Sequence, residues 1–193
     1  MVIRKVGRKV FCLIEMIIGF FEQLLLPIKV GKKCVIKGIV QYEGTCNVEI
    51  KDSVHINSGK QYNVIGGDCR TVLRTVYEGR ITIGEGSGIS NSTIVSANQV
   101  KIGKNVLIGG SCKIYDTDFH PINMDDRISN NSDKIKTSPI EIKDNVFIGA
   151  HCIILKGVII GKGSVVGAGS VVTKSIPEGE VWAGNPARFI RKI

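Results

Sequence analysis

The sequence predicts an all-β fold in which the chain winds as a triangular prism, with three short strands in each coil. A helix repeats every 3.6 residues and a half-buried strand every two, so an aliphatic period of six fits neither and is typical of a solenoid. Glycine follows the aliphatic position at Gly149, Gly161 and Gly167, where corners need backbone freedom that side chains restrict. The period is unbroken at Ile142, Ile148, Ile154, Ile160, Val166 and Val172.

Composition agrees with a narrow aliphatic interior. The 193 residues are 43% hydrophobic but only 6% aromatic, and this length suffices for one sizeable core. The formal charge of +9 indicates a polyanionic cofactor, an anionic membrane surface or nucleic acid as partner. The basic residues are scattered and no nucleic-acid-binding motif appears, so no nucleic-acid partner is expected.

The six cysteines contain no CxxC pair. Cys34, Cys112 and Cys152 fall four positions after an aliphatic residue, where the repeat places small or β-branched side chains. We interpret them as buried thiols in a reducing compartment, and therefore expect a cytoplasmic protein.

Residues 1–29 differ from the rest and are predicted to form an amphipathic helix ahead of the prism, which occupies residues 30–193. Arg8, Glu15 and Glu22 are spaced by seven and would share one polar stripe of a helix. Two carboxylates make a bilayer-spanning segment costly, and no small-residue cleavage site indicates a secretory signal. Two interpretations stay open: the helix packs on the protein or a partner subunit, or residues 1–26 lie on the inner face of a membrane.

The six-residue phase is interrupted along the chain. It begins at Val30, is patchy from Glu43, and does not fit residues 59–80. It resumes, slips by one residue after Val95, and breaks at about residues 115–139. A break of this length on a regular scaffold predicts an extruded loop, usually functional.

The C-terminal residues 175–193 are predicted to cap the prism. An open prism end exposes unpaired strand edges that must be covered. We expect a short C-terminal helix to cover them.

Three segments resemble the hexapeptide-repeat acyltransferases, most closely the galactoside and maltose O-acetyltransferases and the acetyltransferases of bacterial surface polysaccharides. They are residues 105–121, which include Tyr115–Pro121, residues 139–174, and residues 183–188. The resemblance covers about residues 83–193. It implies a left-handed parallel β-helix, a homotrimer with active sites between neighbouring prisms, and acetyl-coenzyme A as donor, with no metal.

His120 is the candidate general base. A thioester is already activated, so the enzyme must deprotonate the acceptor and stabilise an oxyanion. His120 lies where the repeat breaks, and the resembling families place their catalytic histidine there. In an extended segment Asp116, Asp118 and His120 would point the same way. We favour Asp118 over a backbone carbonyl for orienting the imidazole; a surface histidine without function is the alternative.

The resemblance also implies a cofactor path. The oxyanion donor is expected to be a backbone N–H near Gly149 and Ala150, and alanine backbone groups would face the pantetheine arm. Two further residues would lie along the pantetheine arm. Two C-terminal arginines would approach the nucleotide phosphates; the alternative is that these arginines belong to a solvated basic tail. The residues concerned are Gly149, Ala150, Ala168, Thr173, Lys174, Arg188 and Arg191.

The leading hypothesis is acetyl transfer to a hydroxyl of a sugar or a lipid-linked surface-polysaccharide precursor. The galactoside enzymes carry an acceptor-binding carboxylate where this chain has Ser96–Ala97, and a frequent tryptophan is Phe147 here. The acceptor therefore stays open, with an antibiotic or other xenobiotic, or an amino sugar, as alternatives. A zinc carbonic anhydrase would need three converging histidines, and the chain has three in all with no close pair. A non-catalytic scaffold would bind no coenzyme A.

Overall fold

The computed structural model describes residues 14, 17, 26–67 and 69–193. Their backbone winds through three faces of a prism, and each coil adds one parallel strand to each face, as the six-residue period predicts. This is the predicted left-handed parallel β-helix. The first sheet contains β1 (Lys29–Val30), β4 (Val48–Ile50), β7 (Arg80–Ile83), β10 (Gln99–Ile102), β13 (Ile140–Ile142) and β16 (Ile159–Ile160).

The other two faces are built in the same way, and strands are numbered in chain order. The second sheet contains β2 (Val35–Lys37), β5 (His55–Asn57), β8 (Gly88–Ser90), β11 (Leu107–Ile108), β14 (Phe147–Ile148), β17 (Val165–Val166), β19 (Glu180–Ala183) and β20 (Arg188–Lys192). The third sheet contains β3 (Gln41–Gly44), β6 (Val72–Thr75), β9 (Thr93–Ser96), β12 (Lys113–Tyr115), β15 (Ile153–Leu155) and β18 (Val171–Val172).

The core is a stack of aliphatic side chains that repeats from coil to coil. In the second sheet Ile89, Ile108, Ile148 and Val166 stand opposite one another in successive strands, and all four are buried. Burying one such side chain contributes about 1.5–3 kcal/mol. Because identical positions stack directly, the six-residue period keeps successive regular coils in register.

The predicted extruded loop runs from the end of β12 to the start of β13. An antiparallel bridge between Thr117 and Thr137 closes its base. Beyond the bridge lie a short helix, α1 (Met124–Ile128), and a 3-10 turn (Ser132–Lys134). The Asn123 side chain caps α1 by accepting from the backbone N–H groups of its first turn.

A second loop, between β5 and β6, accounts for the poor fit of residues 59–80. The chain leaves the prism after Ser58 and returns at Thr71, whose backbone N–H donates to Ser58 Oγ over 2.9 Å. The two ends are adjacent, so the loop interrupts one corner without shifting the coils that follow.

The C-terminal segment contradicts the expected short helix. β19 pairs in parallel with β17, and β20 folds back antiparallel onto β19. The unpaired edge of β17 offers hydrogen bonds that a helix would leave unmade, and Gly184 (φ 101°) supplies the turn between the two strands. The cap at residues 175–193 is therefore a β-hairpin.

Of the predicted N-terminal helix, only Ile14 and Ile17 are described up to residue 25, and both are helical. The rest of that prediction lies outside the described residues. Within the described part of the chain, no helix is long and apolar enough to cross a membrane.

Candidate active site

His120 lies in the extruded loop with its side chain exposed to solvent. The preceding residue, Phe119, has a left-handed backbone (φ 63°), which is uncommon for a bulky residue. Its ring packs edge-to-face on Tyr115 with centroids 5.2 Å apart. The aromatic pair thus fixes the chain direction immediately before His120.

Asp116 does not share a face with His120, contrary to the expectation for an extended segment. The left-handed Phe119 breaks the extended conformation, and Asp116 is fully buried. Its carboxylate accepts hydrogen bonds from Ser96 Oγ (2.7 Å), Ala97 N (2.6 Å) and Asn98 N (3.0 Å). Asp116 therefore holds the turn between β9 and β10 and has no spare acceptor directed at the loop.

Asp118 is held by a lysine that sequence reasoning missed. Its Oδ1 atom lies 2.6 Å from Nζ of Lys156, and both side chains are largely shielded from solvent. The other oxygen, Oδ2, is buried without a hydrogen-bond partner among the described residues. Leaving a buried acceptor unpaired costs about 1–3 kcal/mol, so this oxygen is available to a donor from the loop or from another molecule.

Backbone N–H groups form an outward row at the corner between the second and third sheets. Gly149 O accepts from Cys112 Sγ, and Gly167 O accepts from Cys152 Sγ, each over 3.1 Å. Both thiols are fully buried. Since C=O and N–H point in opposite directions across a trans peptide, the N–H groups of Ala150 and Ala168 point away from the interior.

Neither N–H of this outward row has an acceptor in the part of the chain that the structure describes. Close stacking makes the row compact: a methyl group on Gly149 would lie 2.6 Å from the Ala168 nitrogen, so only glycine fits there. Such aligned donors suit a carbonyl oxygen or an oxyanion. The structure thus brings together three of the predicted cofactor residues, Gly149, Ala150 and Ala168.

The two thiols that hold the row differ in acidity. The hydrogen bond with Cys152, together with burial, raises the pKa of Cys112 above its ordinary value. The hydrogen bond with Cys112 lowers the pKa of Cys152 to about 7. The six-residue spacing predicted that both cysteines are buried, because they occupy the small inward position of the repeat. The spacing does not reveal which carbonyl each thiol contacts, so it could not predict the outward N–H row.

The C-terminal hairpin brings Arg188 to the same corner. Gly184 N donates to Ser170 Oγ (3.1 Å) and Ala187 N donates to Val171 O (2.8 Å). Arg188 therefore lies one coil beyond Ala168. Arg191 lies on the same face of β20, because an irregularity at Ile190 pairs Arg191 with Val181 and Arg188 with Ala183, two residues apart on β19.

Both guanidinium groups are exposed, and neither is paired with a carboxylate within the described residues. Thr173 and Lys174 are also exposed, directly after β18. The roles predicted for these four residues stay predictions.

The other histidines lie apart from the extruded loop. His151 follows Ala150 in the left-handed conformation (φ 62°), exposed, with its N–H donating to Gly110 O over 2.8 Å. His55 is exposed on β5. Among residues 26–67 and 69–193, no three His, Cys, Asp or Glu side chains are placed to hold a metal ion.

An apolar strip lies exposed on the second sheet. Leu107 and Phe147 are neighbours in register on β11 and β14, and their side chains are 55% and 47% exposed. Side chains this apolar on a regular flat face suit contact with another protein surface.

Comparison with known proteins supports the architecture. The family model described as the hexapeptide repeat of succinyl-transferase matches residues 99–114 and 139–174. The galactoside O-acetyltransferase of Escherichia coli K12 is 46% identical over 103 residues, which are 53% of this chain and 49% of that protein. The chain thus spans about half the length of the relatives that it matches in sequence.

Two solved structures have the same fold. A maltose O-acetyltransferase from Clostridium difficile 630 is 32% identical, with a TM-score of 0.55, covering 86% of this chain and 69% of that one. A hexapeptide-repeat acetyltransferase from Vibrio cholerae, solved with acetyl-coenzyme A, is 24% identical, with a TM-score of 0.59, covering 89% and 73%.

Proposed function

Because this chain belongs to the hexapeptide-repeat acetyltransferase family, we propose that it transfers the acetyl group of acetyl-coenzyme A to a sugar hydroxyl. The observation that carries the proposal is the outward N–H row at Ala150 and Ala168, held by the buried thiols of Cys112 and Cys152. Cys112 lies on the coil that also extrudes the loop with His120. The sugar is free or part of a surface-polysaccharide precursor. Such precursors are lipid-linked, which agrees with peripheral membrane contact through residues 1–26.

His120 acts as the general base in the proposed reaction. Its imidazole takes the proton of the acceptor hydroxyl as the oxygen attacks the thioester carbonyl carbon. The N–H of Ala150 stabilises the resulting oxyanion. Collapse of the tetrahedral intermediate breaks the C–S bond, and the imidazolium returns its proton to the coenzyme A thiolate.

Asp118 orients that imidazole and stabilises the imidazolium. Its Oδ1 pairs with Lys156, which leaves the buried Oδ2 to accept an imidazole N–H. Lys156 is then a positioning residue: it fixes the carboxylate and moderates its negative charge.

The cofactor lies along the corner between the second and third sheets. Pantetheine carbonyl groups accept from the N–H of Ala168, and the thioester lies at Ala150. The guanidinium of Arg188, one coil beyond, meets the phosphates, with Thr173 and Lys174 beside the arm. The formal charge of +9 favours a polyanionic cofactor at this surface.

The complete site requires a second copy of the chain. The loop with His120 leaves the prism between the third and first sheets, whereas the outward N–H row lies between the second and third. A homotrimer that buries the strip of Leu107 and Phe147 would bring His120 of one copy to the row of the next.

A screen of acceptors with coenzyme A thiol release as readout tests the proposal. We expect acetylation of a galactoside, maltose or a lipid-linked sugar, and a loss of about 10²–10⁴-fold in His120→Ala with acetyl-coenzyme A affinity unchanged. His151→Ala, the other exposed histidine near the row, is the control. A chain that binds no coenzyme A would be a scaffold, and faster turnover of an amino sugar or an antibiotic would replace the acceptor class.

A further inference from the structure

One turn from the second to the third sheet is a residue shorter than those that follow it. Ile89 and Ile94 are five positions apart, whereas Ile108 and Ile114 are six apart. Yet Ile89 is in register with Ile108, and Ile94 with Ile114. The coil of β8 and β9 therefore lacks one corner residue, directly before the outward N–H row.

The preceding loop fills the place of the missing residue. Gly66 lies against Gly110: a methyl group on Gly110 would be 2.7 Å from the Gly66 nitrogen and 2.9 Å from its Cα atom. Both glycines are buried. The backbone of residues 59–67 thus covers the corner, and no side chain fits at the contact.

Asn91 fixes this loop from beneath. Its side chain is fully buried, with Oδ1 accepting from Gly59 N and Nδ2 donating to Asn63 O, each over 2.7 Å. Asn63 Oδ1 in turn accepts from Ile65 N over 2.9 Å. Asn91 itself is left-handed (φ 43°), which asparagine tolerates better than most residues. These hydrogen bonds anchor the loop at Gly59 and Asn63, and they fix the backbone at Ile65, next to Gly66.

Gly110 would be the next member of the outward N–H row. Ser92 Oγ donates to Gly109 O over 2.9 Å, which turns the Gly110 N–H outward just as Cys112 turns that of Ala150. Gly110 is covered by Gly66, however, while Ala150 and Ala168 are accessible. The accessible part of the row therefore ends at Ala150, and a backbone wall stands one coil beyond it.

We propose that residues 59–67 limit the length of the acyl group, so that the site takes a two-carbon chain. The inference rests on the proposed function, which places the thioester carbonyl at the Ala150 N–H. Coils are about 4.8 Å apart, and carbon atoms in contact need about 3.5–4 Å. One methyl carbon fills the space before the wall, and a longer chain meets the backbone of Gly66.

Equilibrium binding of coenzyme A, acetyl-coenzyme A and butyryl-coenzyme A to the intact chain tests this wall. We expect butyryl-coenzyme A to bind at least about tenfold more weakly than acetyl-coenzyme A. Asn91→Gly keeps the positive φ and removes both anchoring hydrogen bonds, so it should bring the two affinities within about threefold. A second variant, with residues 60–67 replaced by two glycines, should do the same. Asn145→Gly, at another left-handed corner (φ 60°), should keep the original selectivity.

Equal binding of acetyl-coenzyme A and butyryl-coenzyme A by the unmodified chain would contradict the proposal that residues 59–67 limit the length of the acyl group. So would undiminished selectivity in a loop-shortened variant that melts and assembles normally. If coenzyme A binds and only the acyl discrimination is missing, the proposed function stands without the wall. If the unmodified chain binds none of the three compounds, both the proposed function and the proposed limit on acyl length are wrong.

Discussion

The Nζ atom of Lys156 lies 2.6 Å from Oδ1 of Asp118, at the base of the loop that carries His120. The pair is shielded, with 28% and 19% of the two side chains exposed, so solvent screens it less than a surface ion pair. Lys156 belongs to the coil after the loop, and the pair therefore ties the proposed catalytic segment to the rigid prism.

Lys156→Met should lower kcat for acetyl transfer. Without the ammonium group, Oδ1 of Asp118 loses the contact that fixes the carboxylate, so the carboxylate no longer holds the imidazole in one orientation. The KM for acetyl-coenzyme A should stay the same, because Lys156 is not among the residues proposed to hold the cofactor. Steady-state kinetics measure both, and Lys156→Arg should restore kcat. An unchanged kcat in Lys156→Met would show that the pair is only structural.

The fold was predictable because one geometric rule fixes it, whereas the site depends on contacts that the rule does not encode. Inward aliphatic residues such as Ile108 and Ile148 must stack, so their spacing reveals the coils. The C-terminal hairpin was missed because the free edge of β17 decides the conformation of Arg188–Lys192, not their local pattern. Lys156 has no motif of its own, and only the folded chain shows that it meets Asp118. The short turn after Ile89 was visible as a slip in phase, but its covering by Gly66 was not.

Cys112→Ala, a substitution in the interior of the prism, should lower kcat. Without the thiol, Gly149 O loses its hydrogen-bond donor in the described chain and stays buried, at a cost of about 1–3 kcal/mol. The peptide can then rotate, and the Ala150 N–H loses its fixed direction. We expect a lower melting temperature and a kcat reduced several-fold.

Cys112→Ser is the matched control for this change. Ser92 already makes the equivalent contact to Gly109 O one coil earlier, so a hydroxyl suits the position. The serine variant should keep kcat close to that of the unmodified chain. If the alanine variant loses stability but not kcat, the thiol has no part in orienting the row.

Arg188→Ala should weaken acetyl-coenzyme A binding about tenfold, as expected for loss of a hydrogen bond between charged groups. Arg191→Ala should reduce the affinity less than Arg188→Ala does, because Arg191 pairs with Val181 and lies further from the outward N–H row than Arg188, which pairs with Ala183. Isothermal titration calorimetry measures both. Acetyl-pantetheine, which lacks the nucleotide phosphates, should bind the unmodified chain and Arg188→Ala equally. A larger effect of Arg191→Ala would reverse the assignment of the two arginines.

Mixed assemblies test whether the site is shared between copies. His120→Ala removes the base, and Ala168→Trp puts a large ring on the outward N–H row, so each variant alone should be inactive. A site formed by His120 of one copy and the row of the next is intact only where an Ala168→Trp chain precedes a His120→Ala chain. Random mixing after unfolding and refolding should restore about a quarter of the sites, and activity should rise accordingly. If the two variants co-assemble and activity does not return, both elements act within one chain, and the loop of residues 115–139 must fold back over its own prism.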